Sequence, residues 1–234
     1  MEEYTDVELA EQVAVACRIL EAQGLGHSFL GHVSARKTGE DAVKVKPSGF
    51  GLGEIRADDV IEVDFSGRKL AGAHGVHAEM PIHLGIYKRR PDVQSVIHTH
   101  PLHVAGLMAS DGRLAMVNQD SLFFAGGVGH YPSPELVITE RQGDALADAL
   151  GEKNAVLMKN HGLVTVGRSV PEAVFLAVSL EGSLRVQATA RVFGEISPIE
   201  GRDLEEMLSH FSDGYERRVL TTWEFLRRQL PTPR

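Results

Sequence analysis

The chain has 234 residues, 43% of them hydrophobic and 24% charged, the balance of a globular protein with a substantial core. A net charge of -8 and the lack of any long basic run argue against a nucleic-acid partner. No apolar stretch approaches the roughly 20 residues that span a bilayer, and no signal peptide precedes Glu2-Glu3, so a cytoplasmic protein without a membrane partner is expected.

The length suits one domain over 1–234, with helices over about 202–229 appended at its end. Thr5-Asp6-Val7-Glu8 is a capping box, and Leu9, Val13, Ala16, Cys17 and Leu20 follow at helical spacing up to Gly24. Cys17, the one cysteine, belongs to that helix core and has no partner for an internal disulfide. Phe29 to Arg36 leads to a strand over Ala42 to Lys46, a turn at Pro47-Ser48-Gly49 and a strand over Val60 to Asp64. Ser66-Gly67 then turns a hairpin into Arg68-Lys69-Leu70, so this third of the chain reads as short antiparallel strands. A helix beginning near Pro81 buries Ile82, Ile86 and Tyr87, with His83 assigned to its packing or surface.

Val96 to His100 reads as an apolar strand stopped by Pro101, followed by a helix over Leu102 to Met108. Ala115 to Val117 and Ser121 to Phe124 read as strands or an apolar connection. Gly126-Gly127-Val128-Gly129 lacks the lysine of a phosphate loop and the spacing of a dinucleotide fingerprint, and reads as a turn. Thr139-Glu140-Arg141-Gln142 opens a helix to Leu150. Ala155 to Met158 and Leu163 to Val166 read as strands flanking a turn at Asn160-His161-Gly162. Ser169-Val170-Pro171-Glu172 is a third capping box and opens a long apolar helix to about Val192. Ser197-Pro198 breaks the chain, two more helices follow, and fraying is expected from Pro231.

The histidines point to chemistry. Six of the 11 lie between His74 and His103. Residues two apart on a strand share a face, so His98 and His100 can reach one metal ion. A third imidazole from a distant turn, His161, would complete a three-histidine site with one position open to water or substrate. Glu79, at the start of the helix leading into that strand, can serve such a site as a fourth ligand or as its proton carrier.

Five segments together resemble the class II aldolase/adducin superfamily. They are Gly31-His32-Val33-Ser34-Ala35-Arg36, Lys46-Pro47-Ser48-Gly49, the Glu79 helix with Tyr87-Lys88-Arg89-Arg90-Pro91-Asp92-Val93, His98-Thr99-His100-Pro101, and Lys159-Asn160-His161-Gly162-Leu163. Their order and spacing match the family over about Leu9 to Leu180. The resemblance implies an α/β/α sandwich with a central, mostly antiparallel sheet. It implies one divalent metal per subunit on His98, His100 and His161, with Glu79 beside it as acid/base. Zinc or manganese is expected, and three imidazoles also accept cobalt or iron. A homotetramer with sites at subunit interfaces is implied too, and Tyr131 and Tyr215 are candidates to complete a pocket from a neighbouring subunit.

In the family's sugar-phosphate members, backbone-rich segments matching Gly31-His32, Ser48-Gly49 and His77-Ala78 cradle the phosphate. Those members have asparagine in place of His32 and a serine pair in place of His77-Ala78. Ser48 and Gly49 keep the pattern, whereas imidazoles at 32 and 77 remove small donors and suit a planar carboxylate. The chain thus looks like the family's decarboxylases of hydroxy-aromatic, hydroxypyridine or semialdehyde acids, with Gly31, His32, Ser34, Ser48, Gly49, His77 and Ala78 around a small-molecule carboxylate. The alternatives are structural roles for His32 and His77, a sugar-phosphate aldolase or epimerase, a three-histidine oxygenase, and an adducin-type interaction module without metal.

Overall fold

A computed structural model describes residues 5–37, 39–211 and 213–231. In chain order the elements are α1 (Asp6–Ala22), β1 (His32–Ala35), β2 (Ala42–Val45), β3 (Ile61–Asp64), β4 (Lys69–Ala71), α2 (Met80–Arg89), β5 (Ser95–Thr99) and α3 (Leu102–Met108). They continue with β6 (Gly129–Tyr131), α4 (Glu140–Leu150), β7 (Ala155–Met158), β8 (Leu163–Gly167), α5 (Val170–Phe193), α6 (Gly201–Phe211) and α7 (Tyr215–Gln229).

The strands form one sheet in the order β4-β3-β2-β1-β5-β8-β7-β6. Every pairing is antiparallel except β6 with β7. This is the expected mixed α/β architecture, with helices on both faces of a mostly antiparallel sheet. The pleat sorts the side chains. Val33, Ala35 and Ile97 face one way, into a core shared with α1, α5 and α7. Val43, Val45, Val96, Val156, Val164 and Val166 face the other way, against α2 and α4. By the same alternation His32, Ser34, His98 and His100 point to the α2 face.

Most expected elements form where their end signals stand. Thr5 makes the reciprocal capping box with Glu8, and Thr139 makes one with Gln142. The box expected at Ser169 is half made: Ser169 accepts from the Glu172 amide, but the Glu172 carboxylate receives the Arg168 amide instead. Of the two readings for 115–117 and Ser121 to Phe124, the structure takes the apolar connection over the strands. Residues 115–117 form no strand, and Gln119–Phe124 is a 3-10 helix capped by Asn118. The edge strand β6 has no signal of its own, since it is three residues long and opens on Gly129. Its existence depends on its parallel partner, Met158 lying opposite Tyr131. The fraying expected from Pro231 falls, beyond that residue, on 232–234, outside the described residues.

Candidate active site

The site forms where the middle of the sheet meets the N-terminal end of α2. His32 on β1 lies directly opposite His98 on β5, and β8 flanks β5 on its other side. His100 stands one residue beyond β5. His161 comes from the β7–β8 turn, which closes through the Met158 amide to the Gly162 carbonyl and the His161 amide to the Met158 carbonyl. Asn160 takes a φ of 50°, a left-handed conformation asparagine tolerates in turns. A side chain at Gly162 would strike the Thr99 carbonyl and reach within 2.8 Å of the His100 ring, so only glycine lets the turn approach β5.

The three rings converge as expected. His98 and His100 centroids lie 4.6 Å apart, and His161 is 5.0 Å from each. One ligand atom from each of His98, His100 and His161 falls within 4.8 Å of the others, as also holds for His32, Glu79 and His98. The His98 Nε2, His100 Nδ1 and His161 Nδ1 atoms are buried with no hydrogen-bond partner among the described residues. His98 Nδ1 lies 2.9 Å from the Leu163 carbonyl, so this nitrogen carries the proton and Nε2 is left as a lone pair. Burial lowers all three pKa values, that of His100 to about 4, which keeps the rings neutral as metal ligation requires. Clustered neutral imidazoles with unpartnered nitrogens fit a divalent cation.

Glu79 is the residue just before α2. Its Oε1 receives the Val137 amide at 3.1 Å and lies 3.9 Å from His161 Nε2, while Oε2 lies 3.8 Å from His98 Nε2 and 4.0 Å from His32 Nε2. Burial raises its carboxyl pKa, against the opposing pull of the Val137 amide. Such a carboxyl is suited to hold and release a proton.

The expected substrate contacts separate into two groups. His32 lies beside the three histidines, its ring centroid 5.0 Å from that of His98, and Gly31, Ser48 and His77 are drawn to it by the contacts that follow, with Gly49 and Ala78 next to Ser48 and His77 in the chain. The His32 and His77 rings are 4.5 Å apart, and the Ser48 amide donates to the Gly75 carbonyl, stitching the two loops together. Gly31, at φ 89°, lies over the end of β5, where an added Cβ would come within 3.3 Å of the His98 carbonyl. His77 is held by the Pro47 carbonyl, its Nε2 is buried without a partner among the described residues, and burial lowers its pKa to about 4.

Ser34 does not face this pocket. Two residues along β1 from His32, it lies deeper under α2, wholly buried, with its hydroxyl 2.6 Å from His83 Nδ1 and 2.8 Å from the Tyr87 hydroxyl. Tyr131 is buried in the α2–α4 core, contributing its carbonyl to the Lys159 amide. Tyr215 packs against Phe123 and Phe175 and hydrogen-bonds Glu172, beyond the end of β8 opposite His161. Within one chain it does not join the site.

Sequence reasoning passed over Lys46. Its side chain is wholly buried, its ammonium donates to the Phe29 and Pro47 carbonyls at 3.4 and 3.3 Å, and its charge helps lower the pKa of His77 and His32. Val43-Lys44-Val45-Lys46 reads as a strand with one solvated face, and Lys44, paired with Glu62 at 2.6 Å, behaves that way. The one available signal was Pro47, which ends the strand and turns the chain inward at Lys46.

The chain and its fold are similar to known proteins. The family model for the "Class II Aldolase and Adducin N-terminal domain" matches residues 11–188. The chain is 32% identical to a 3,4-dihydroxyphthalate decarboxylase of Arthrobacter keyseri, over 84% of this chain and 85% of that one. It is 29% identical to a 5-methylthioribulose-1-phosphate/5-deoxyribulose-1-phosphate aldolase of Escherichia coli O45:K1, over 75% and 81%. The crystal structure of an aldolase II superfamily protein from Pseudomonas syringae superposes with a TM-score of 0.87 at 26% identity, covering 96% of this chain and 92% of that one.

Proposed function

Because the chain belongs to the class II aldolase and adducin family, we propose that it is a metal-dependent carbon–carbon lyase that decarboxylates a hydroxy-aromatic or hydroxypyridine carboxylic acid. The observation that carries this reading is the pair of imidazoles, His32 and His77, 4.5 Å apart beside the three-histidine cluster. They stand where a phosphate would need small donors, and the nearby Ser48 amide is already committed to Gly75. A pocket walled by flat rings suits a planar acid.

His98, His100 and His161 would hold the divalent ion, zinc or manganese, with Glu79 close by. When bound, such an ion supplies Lewis-acid polarisation of a substrate oxygen, which makes room for the electron pair left behind by departing carbon dioxide. The chain's own residues do the rest. His32, Ser48 and His77 orient the substrate carboxylates. The carbon–carbon bond breaks with both electrons staying on the ring carbon, and Glu79, held by the Val137 amide, delivers a proton there and regains one from water.

The test is a product assay on metal-reconstituted protein. Ortho-hydroxy aromatic and pyridine dicarboxylates are offered alongside fuculose and ribulose phosphates, with carbon dioxide and dihydroxyacetone phosphate followed together. Metal-dependent carbon dioxide release from an aromatic acid is expected. Dihydroxyacetone phosphate instead would overturn the reading and favour the second one, a sugar-phosphate aldolase, which rests on the retained Ser48-Gly49 turn with Gly49 at φ 86°. Oxygen consumption would point to an oxygenase. His100→Ala should lose the metal, and a variant keeping a full equivalent refutes the ligand set. A cytoplasmic homotetramer is part of the same reading, to be checked by mass in solution.

A further inference from the structure

Behind His32 runs a buried series of polar side chains that leads away from the pocket. Glu79, His83 and Tyr87 are spaced four apart around α2, so they form one stripe on the face laid against β1. Opposite them stand His32 and Ser34, two apart on β1. The contacts run His32 Nδ1 to His83 Nε2 at 2.6 Å, His83 Nδ1 to Ser34 Oγ at 2.6 Å, and Ser34 Oγ to the Tyr87 hydroxyl at 2.8 Å. All four residues are at most 2% exposed.

Each group in this series has one proton to give, and the direction of giving is set at the far end. The buried Tyr87 phenol needs an acceptor for its O–H, and among the described residues Ser34 Oγ is the hydroxyl's only hydrogen-bonded side-chain partner. Burial raises the phenol pKa, and the smaller opposing pull of the Val96 backbone is that of an amide donor to the oxygen, which offers the O–H no acceptor. With Tyr87 donating to Ser34, the serine donates to His83 Nδ1. His83 must then bear its proton on Nε2 and donate to His32 Nδ1, which leaves the His32 proton on Nε2. The reverse direction would strand the phenol O–H in the core.

We propose that Tyr87, Ser34 and His83 are positioning residues that fix the tautomer of His32, so that it presents Nε2–H to the pocket as a hydrogen-bond donor and not as a metal ligand. The two rings that face each other across β1 and β5 then differ in kind. His98, held through Nδ1 by the Leu163 carbonyl, offers a lone pair; His32 offers a proton. This decides between the two groups of converging ligand atoms, because a protonated Nε2 cannot ligate, and the cation is assigned to His98, His100 and His161. The class of ligand also follows: an anionic oxygen seated between His32 and His77. That last step rests on the decarboxylase reading above; the tautomer does not.

The test is nuclear magnetic resonance of the metal-free, full-length protein labelled with 15N in the histidine rings, at neutral pH. Long-range proton–nitrogen correlations distinguish the two neutral tautomers, and the His32 signals are identified by their loss in His32→Gln. Nε2–H on both His32 and His83 is the expected result, and a protonated Nδ1 on His32 overturns the proposal in the native protein, whether or not any variant folds. His83→Leu should release His32 into a mixture of tautomers, and H83Q, whose amide nitrogen can replace the lost donor, should restore the single form. An unchanged His32 in His83→Leu would also overturn it. With the substrate found by the product assay, His83→Leu should raise KM several-fold at unchanged metal content and nearly unchanged kcat, with H83Q recovering. If no acid is turned over, the decarboxylase reading fails and the tautomer measurement still stands.

Discussion

Glu79 sits where three demands meet. It precedes α2 without capping it, receives the Val137 amide, and places one oxygen or the other within 4.0 Å of His32, His98 and His161. Burial holds its proton more tightly than water would, which suits the proton transfer to carbon proposed for it. Glu79→Gln keeps the shape and the acceptor for Val137 but cannot transfer a proton. Metal content should be unchanged while kcat falls by about 10²–10⁴-fold. Metal analysis beside turnover checks this, and full activity would remove Glu79 from the mechanism.

The elements that carry the site are held by a close helix contact. A Cβ on Gly85 of α2 would lie 2.5 Å from the Gly143 carbonyl of α4, which leaves no room for a methyl group. Gly85→Ala should therefore destabilise the protein by about 1–3 kcal/mol, read as a lower urea midpoint. It should also cost activity, since α2 carries His83 and Glu79 stands at its N-terminal end. Most of the elements were legible because their ends carry local chemistry, such as Thr5 with Glu8, Pro81 and Gly151. The three-histidine cluster was legible for a related reason: strand alternation and a turn are local patterns. What stayed hidden was the inner layer. Lys46 stands where a lysine reads as solvated, Ser34 reads as a pocket residue and His83 as either packing or surface, and only the packing of α2 and of the loop after β2 shows all three buried. Glu172 escaped in the same way, because its competing partner is the preceding turn rather than its own helix.

At the scale of the molecule, the buried imidazoles make stability depend on pH. His83 has an ordinary pKa of 6.5, which burial lowers to about 3. Above pH 6.5 neither the folded nor the unfolded form binds the proton, and the group contributes nothing. Between 6.5 and about 3 the unfolded chain takes up a proton that the fold excludes, so stability falls as pH falls through that window. Each such ring contributes a slope of about 1.4 kcal/mol per pH unit. Urea midpoints of metal-free protein across this range should show the decline, and H83Q should make it shallower by one ring's share; greater stability on acidification would refute the buried, neutral state. The His32–His83 contact has a further, evolutionary consequence. A lineage that exchanged His32 alone for the asparagine of the sugar-phosphate members would bury the His83 donor against a side chain too short to meet it. Change at the pocket wall and change beneath α2 are thereby coupled, and a substitution at one position calls for a compensating substitution at the other.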